Sequence, residues 1–328
     1  MYCRLACAAL ASLAAGLASA QSSSPPQILT AGYRHDSIPA AIEALRQIGQ
    51  NTSLFDPTFS EDENLFTTEQ LAPFKAIVFL SNSDQVLDDD GEAAFKQWLT
   101  TGGALVGLHA GTACLFNDTA FGTAMGSWFD YHPTISNATF TKVAQHETTD
   151  MLPDRYDTYE EVYHFRSDPR DVNCTVLLTY DPSSFADSQA GTRPYYQGSP
   201  PPSAWYREGQ SVDLTNGTAG LSPATMTGRT WYTSLGHEIA TWSNPIHLAH
   251  VEAGLRWALA DFTANSTSPS SSSAATSSAP SSTSSSPSTS STTVPAASAG
   301  GTSAAGRLEA GLAALFFAAA GAGVAMLS

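Results

Sequence analysis

Three histidines each lie a few residues beyond an apolar segment that the sequence pattern predicts to be a core strand: His35, His109 and His237. The carboxyl ends of parallel strands meet at one edge of a sheet, so these imidazoles are expected to converge there. An imidazole has a pKa near neutrality and serves as a general base, a proton donor or a metal ligand. One such histidine is readily explained by a structural role, but three at one edge favour a functional site.

The segment around the second histidine has the outline of a nucleophile elbow. It reads Gly107-Leu108-His109-Ala110-Gly111. Flanking glycines permit a tight turn between a strand and a helix and hold the middle side chain over the sheet edge. The same spacing also fits glycines that ease ordinary strand-to-helix packing, and both interpretations stay open.

Apolar periodicity predicts the elements that must position these residues. Continuous apolar runs predict buried strands at Ala76–Leu80 and Ala104–Leu108, and Ser37 is predicted to cap a helix. Strand and helix alternate, which predicts an α/β fold with a doubly wound, mainly parallel sheet in three layers. Further helices are predicted at Asp88–Thr100 and Asn244–Ala260, and further strands at Ile28–Thr30, Thr52–Phe55, Ala138–Val143, Val162–Phe165, Thr175–Leu178, Ser203–Tyr206 and Arg229–Ser234.

Five blocks of the sequence occur in the order found in one known family. They are TAGYRHDS at 30–37, FLSN at 79–82, GGALVGLHA at 102–110, EEVYHF at 160–165 and WYTSLGH at 231–237. These blocks resemble the ThuA-like, or trehalose-utilisation, family of the class I glutamine amidotransferase-like superfamily. The resemblance implies a flavodoxin-like core and covers almost all of residues 28–260.

The resemblance also implies that the elbow holds His109 where true amidotransferases hold a catalytic cysteine. Glutaminase chemistry is not expected, because a thiolate forms the glutamyl thioester. The pocket that remains has catalytic candidates in His109, His237 and Glu161. Its substrate-binding candidates are His35, Asp36, Tyr163, His164 and Trp205.

Imidazoles and a carboxylate divide acid and base roles or coordinate a divalent metal, for which His35, His109 and His237 are the candidate ligands. No other cofactor is indicated. The remaining histidines of the domain are interpreted as surface or core residues: His132, His146, His247 and His250.

The expected ligand is a small carbohydrate, such as a trehalose-like disaccharide or a derivative. As an enzyme the protein would be a hydrolase, a lyase or an isomerase acting on a sugar. One alternative is a non-catalytic sugar-binding or cell-wall module that kept the fold and lost its chemistry. Another is a metal-dependent hydrolase of unrelated substrates.

The two ends of the chain predict a secreted, surface-anchored glycoprotein. Residues 1–20 have the pattern of a signal peptide, and residues 306–328 have the apolar pattern of a GPI-anchor signal. Between them lie a ThuA-like domain at 27–262 and a Ser/Thr-rich stalk at 265–305 that is expected to be disordered. Six sequons are candidate glycosylation sites: Asn51, Asn117, Asn137, Asn173, Asn216 and Asn265.

The net charge of the chain limits the partners that we expect. The chain has 14 basic and 30 acidic residues and a formal net charge of −16, so nucleic acid is not an expected partner. A membrane is expected only through the lipid anchor. Once the signal peptide is removed, two cysteines remain in an oxidising compartment, and Cys114 and Cys174 either form one disulfide or stay as buried thiols.

Overall fold

The computed structural model describes residues 34–266 and 313–318, with side chains described for 34–260. The helices are α1 Ile38–Thr52, α2 Thr68–Leu71, α3 Asp89–Leu99, α4 Thr119–Met125 and α5 Pro245–Ser266. The strands are β1 Asp56–Ser60, β2 Ala76–Leu80, β3 Ser83–Asp84, β4 Ala104–Leu108, β5 Ala113–Cys114, β6 Phe129–Tyr131, β7 Ser136–Lys142, β8 Arg155–Glu160, β9 His164–Phe165, β10 Thr175–Tyr180, β11 Ala204–Arg207, β12 Val212–Asp213, β13 Thr225–Met226, β14 Thr230–Thr233 and β15 Ala313–Ala318.

A nine-stranded sheet forms the centre of the molecule, in the order β1-β15-β2-β4-β14-β11-β10-β7-β8. The first five strands are parallel to one another, and the other four pair antiparallel. Strand direction alternates from β14 to β8. Of the nine described strands, seven run in the same direction, and β11 and β7 run in the opposite direction. The carboxyl ends of β4, β14 and β8 therefore lie at the same edge.

Helices cover both faces of this sheet, as the alternation of side chains along a strand requires. On β2, Val78 packs into a cluster with α1 and α5, whereas Phe79 packs into a second cluster with α3 and α4. On β4, Val106 and Leu105 divide between the same two clusters. Strands β2 and β4 are thus buried on both sides, which confirms the predicted α/β architecture and explains their continuous apolar runs.

Several predicted elements differ from those observed. Helix α1 runs on to Thr52 and ends at Ser53 in a left-handed conformation, so the strand predicted at Thr52–Phe55 starts only at Asp56. Ser37 does not cap this helix through its side chain, because its Oγ donates to the carbonyl of Gly236 at 3.3 Å. The segment predicted as a strand at Val162–Phe165 pairs only over β9, outside the main sheet.

The flavodoxin-like winding stays a prediction. The strand predicted at Ile28–Thr30 lies outside the described residues, as do residues 1–20 and most of the predicted stalk. Six residues of the predicted anchor signal form β15, which stands between β1 and β2 in the sheet. Among the described residues, no helix has both the length and the apolar character needed to cross a bilayer.

The candidate modification sites fall into two groups. The asparagines of five sequons are exposed, namely Asn51, Asn117, Asn137, Asn173 and Asn216. The sixth, Asn265, lies in the last turns of α5.

The two cysteines of the domain do not form a disulfide. Cys114 and Cys174 are both buried and free, so the disulfide that the sequence allowed is not formed. Cys114 faces the carbonyl of Gly111, whereas Cys174 lies against Gly126.

Two of the histidines interpreted as core residues are completely buried on α5. His250 bridges the carbonyl of Thr148 at 2.5 Å and the hydroxyl of Thr233 at 3.1 Å, and burial lowers its pKa to about 4. His247 packs edge-on against Trp242, and neither of its ring nitrogens has a hydrogen-bond partner among the described residues. Burial, and then the neighbouring His250, lower the pKa of His247 to about 3.

We predict that His247 makes the protein sensitive to acid. Its pKa is lowered on folding, so it contributes no penalty above pH 6.5, and stability is lost as the pH falls below that value towards 3. Between pH 6.5 and 5 the loss from one such histidine is about 2 kcal/mol. His247→Leu should flatten the fall in the free energy of unfolding by about this amount, as measured by urea denaturation at several pH values. The control His146→Leu alters a half-exposed ring and should flatten it much less; equal slopes in wild type and H247L would contradict the prediction.

Candidate functional site

The three histidines predicted from strand ends lie together at the carboxyl edge of the sheet. The ring centroids of His35 and His109 are 4.8 Å apart, those of His109 and His237 are 5.3 Å apart, and those of His35 and His237 are 5.5 Å apart. His109 follows β4 and His237 follows its parallel neighbour β14, so pairing of the two strands brings these rings together. His35 reaches them from the segment that precedes α1.

His109 occupies a strained turn of the kind that an elbow requires. Its φ is 51°, a conformation that a side chain larger than glycine rarely adopts. The glycines on either side allow close packing: a Cβ on Gly111 would lie 2.2 Å from the carbonyl oxygen of Phe79, and one on Gly107 would lie 2.7 Å from the sulfur of Met125. Elbow geometry and tight packing, the two interpretations of this motif, therefore coexist.

Hydrogen bonds fix the tautomer of His109. Its Nδ1 lies 2.8 Å from the carbonyl oxygen of Ser234, which only accepts, so Nδ1 carries the proton. The other nitrogen, Nε2, is thereby an acceptor, and the hydroxyl of Tyr163 donates to it at 2.9 Å. Burial raises the pKa of Tyr163 well above its usual value, which keeps that proton on the phenol.

Glu161 lies at the centre of the cluster. Its Oε2 is 3.0 Å from Nδ1 of His237 and 3.5 Å from Nε2 of His109. Its other oxygen, Oε1, is 3.2 Å from Nε2 of His132. Nδ1 of His237 is also 3.3 Å from Nε2 of His109, so one carboxylate and two imidazoles meet at a single point.

A second carboxylate, Glu160, holds the cluster in place. It is 1% exposed, and its oxygens accept from the backbone N–H groups of Gly236 at 2.8 Å, His237 at 3.1 Å and Glu161 at 3.0 Å. Gly236 has a φ of 133°, which suits glycine, and Trp242 also donates to its carbonyl at 2.9 Å. Burial raises the pKa of Glu160 to about 7, against the opposing effect of these N–H groups.

The pKa values of the two interacting histidines are shifted in opposite directions. Burial, and then the nearby His35 and His237, lower the pKa of His109 well below its usual value. Burial would also lower the pKa of His237, but the adjacent Glu161 carboxylate raises it. The pKa of Glu161 is lowered, because His237 and His132 outweigh the effect of burial. At neutral pH the cluster thus holds a neutral His109 and an ionised Glu161, and the carboxylate favours the protonated form of His237.

Burial divides these residues into an inner and an outer set. The side chain of His109 is completely buried, and His35 and Tyr163 are nearly so. The side chain of His237 is 20% exposed and that of His132 is 35% exposed. A substrate would therefore meet His237 and His132 first, with His109 behind them.

The cluster also has the donor atoms of a metal site. His35, His109, Glu161 and His237 each offer one ligand atom, and these atoms lie within 4.8 Å of one another. Burial lowers the pKa of His35 to about 4, so its ring is neutral, as a ligand must be. His109 donates its Nδ1–H to a backbone carbonyl, the usual outer contact of a ligating histidine. The residues present therefore fit a divalent metal such as zinc.

Two contributors were missed from the sequence. His132, interpreted as a surface or core residue, contacts Glu161, and its Nδ1 lies 2.8 Å from the carbonyl oxygen of Pro133. Glu160 precedes Glu161 in the EEVYHF block, so the block itself pointed to both carboxylates. Nothing in the spacing reveals the contact with Gly236, which is distant along the chain.

Three predicted binding residues lie away from the meeting point of Glu161 and His237. Asp36 is exposed beside His35. His164 belongs to a neighbouring network, stacked on Tyr131 at 4.3 Å with its Nε2 3.3 Å from Asp187. Trp205, predicted to bind substrate, is completely buried and donates to the carbonyl of Met125, so it is a core residue. Its position on the central strand β11 turns the indole into the core.

Comparisons with known proteins complete the description. The sequence model of the ThuA family, described as trehalose utilisation, matches residues 28–258. A solved structure of a thua-like protein from Bacteroides uniformis is 17% identical, with a TM-score of 0.47, and the match covers 69% of this chain and 89% of that one. A thua-like protein from Parabacteroides merdae is 16% identical with the same TM-score, over 69% of this chain and 87% of that one. No curated protein sequence matched.

We predict that Glu161 is the cause of the raised pKa of His237. Glu161→Gln removes the carboxylate charge while keeping the size of the side chain, and should lower the pKa of His237. NMR titration of the histidine ring protons measures this directly. Glu238→Gln is the control, because that carboxylate lies 4.0 Å from the ring and is more exposed. An unchanged His237 titration in E161Q, or an equal shift in E238Q, would contradict the assignment.

Proposed function

Because this chain belongs to the ThuA family, whose description is trehalose utilisation, we propose that it binds a small carbohydrate and transfers protons to and from it at the Glu161–His237 pair. The observation that carries this proposal is the 3.0 Å contact between Oε2 of Glu161 and Nδ1 of His237. A carboxylate in that position orients the imidazole and stabilises its protonated form, which leaves Nε2 for the substrate.

The separation of pKa values supports the division of roles. Groups whose environments push their pKa values apart are the usual acid and base of a site. His237 keeps its proton and acts as the acid towards a sugar oxygen. His109 stays neutral behind it, with its Nε2 3.3 Å from Nδ1 of His237, so we assign it a positioning role.

Hydrolysis, isomerisation and elimination of a sugar all need such transfers, and none of them needs a thiolate in this arrangement. The elbow holds His109, and the two described cysteines are buried thiols whose pKa values burial raises, that of Cys174 to about 11. We therefore propose a reaction without a cysteine nucleophile and without glutaminase activity.

A second candidate function rests on the metal-ligand geometry. His35, His109, Glu161 and His237 would hold a divalent metal, and a metal supplies a hydroxide nucleophile at neutral pH when bound. In that case the protein would be a metal-dependent hydrolase. The two candidates exclude each other in one respect, because His237 ligates a metal only after losing the proton that the first proposal assigns to it.

The test of the main proposal starts with trehalose and glucose derivatives, followed by calorimetry for binding and NMR of the products for turnover. With His237→Gln, kcat/KM should fall by about 10²–10⁴-fold while the fold is retained. The pH profile of the wild type should be bell-shaped, rising as Glu161 ionises and falling as His237 loses its proton at higher pH. Sugar binding without any turnover in the wild type would favour the non-catalytic module instead.

Chelation separates the two chemical candidates. Proton transfer by the Glu161–His237 pair predicts that EDTA leaves turnover and the unfolding temperature unchanged. Loss of both, with recovery on adding Zn²⁺, would overturn that proposal in favour of the metal-dependent hydrolase.

We further propose that the protein is a secreted glycoprotein attached to the cell surface by a lipid anchor. The exposure of five sequon asparagines supports this proposal, since buried sequons would be inaccessible to glycosylation. Endoglycosidase treatment of the protein from its own cells should lower its apparent mass, and Thr139→Ala should remove the share due to Asn137. An unchanged mass after treatment would contradict secretion through a glycosylating route.

A further inference from the structure

An exposed aromatic ring lies directly opposite one of the sequon asparagines. In the antiparallel pairing of β7 with β8, Asn137 is level with Tyr159. Asn137 is exposed, and Tyr159 is 47% exposed. Residues that face each other in such a pair project from the same side of the sheet, with their Cβ atoms about 4.5–5.5 Å apart. Any group attached to the amide of Asn137 therefore starts beside the ring of Tyr159.

Asn137 differs in its surroundings from the other sequon asparagines. It lies within a strand, whereas the other five lie in helices or connecting segments: Asn51, Asn117, Asn173, Asn216 and Asn265. A strand residue has a fixed neighbour across the sheet, and for Asn137 that neighbour is aromatic. A hydrogen bond beside this pair, in which Thr139 donates to Asp157 at 2.6 Å, holds the same register.

We infer that Tyr159 binds the first N-acetylglucosamine of a glycan attached to Asn137. The inference rests on the proposed glycosylation and adds the residue that holds the glycan against the protein. A pyranose ring has one face lined with C–H groups, and these groups pack favourably on the electron-rich face of an aromatic ring. The contact also removes apolar area of Tyr159 from water. Attachment at the neighbouring residue makes the contact intramolecular, so the local concentration of the sugar is high.

The ring of Tyr159 points towards solvent, as this contact requires. Side chains along β8 alternate, with Arg155, Asp157 and Tyr159 exposed and Tyr156 and Glu160 buried. The exposed set forms one face of the strand. A sugar that extends from the same face of β7 therefore meets the ring without any rearrangement of the sheet.

The contact stabilises the strand that leads to the candidate site. β8 is the outermost of the nine described strands at its end of the sheet, and in that sheet it pairs with β7 alone. It ends at Glu160, which accepts hydrogen bonds from the backbone of Gly236 and His237. A glycan that bridges Asn137 and Tyr159 reinforces the pairing of β7 with β8, on which the position of Glu160 depends.

The test is a double-mutant cycle on the full chain, purified from a eukaryotic host that adds high-mannose glycans. Tyr159→Ala removes the ring, and Asn137→Gln removes the glycan without breaking the hydrogen bond between Thr139 and Asp157. In the glycosylated protein, Tyr159→Ala should raise the unfolding equilibrium constant by about threefold or more beyond its effect in the Asn137→Gln background. Urea denaturation measures this excess. Trimming with endoglycosidase H to a single N-acetylglucosamine should leave it unchanged, because the first sugar makes the contact.

Two further variants are controls. Tyr159→Phe keeps the aromatic ring and should keep the stability of the glycosylated protein. Tyr196→Ala removes a ring that is 72% exposed in the segment between β10 and β11. Its effect should be the same with and without the glycan on Asn137.

The outcomes separate this inference from the proposed glycosylation, with the occupancy of each sequon measured by mass spectrometry of glycopeptides. If Asn137 carries a glycan and Tyr159→Ala has the same effect in both backgrounds, the inference is wrong and the glycoprotein proposal stands. The inference is also wrong if the excess disappears on trimming to one sugar, since outer sugars then make the contact. If other sequons are occupied and Asn137 is not, the inference alone fails. If no sequon is occupied, the proposed glycosylation fails and the inference fails with it.

Discussion

The arrangement of the site depends on one buried carboxylate. Glu160 ends β8, which is separated from β14 by three strands, about 19 Å along a flat sheet. Its hydrogen bonds to the backbone of Gly236 and His237 show that the antiparallel half curls back over the carboxyl edge. These contacts satisfy the buried carboxylate with N–H groups alone and bring Glu161, the next residue, against His237.

Once this contact is made, the histidines differ in burial and therefore in pKa. His109 and His35 are held where water is excluded, so their rings are neutral. His237 is closer to solvent and next to an ionised carboxylate, so its ring favours the proton. His132, whose side chain is 35% exposed, lies between this buried cluster and solvent.

Much of this site could be predicted from local sequence patterns, because residues that directly follow parallel strands lie at the same edge of the sheet. The apolar runs predicted β2 and β4, and the residues after the strand ends predicted which histidines would meet. The antiparallel half was less predictable, since the contacts of Glu160 and His132 join segments that are remote in sequence. Trp205 was misassigned because an aromatic residue on a strand faces the core or the surface according to register, which composition does not reveal.

The most direct test of the account is a crystal structure of the protein soaked with trehalose. We expect a sugar oxygen within hydrogen-bond distance of Nε2 of His237, with Nδ1 still in contact with Glu161. A sugar bound elsewhere, with His237 and Glu161 both free of it, would contradict the central claim that this pair is the reacting centre.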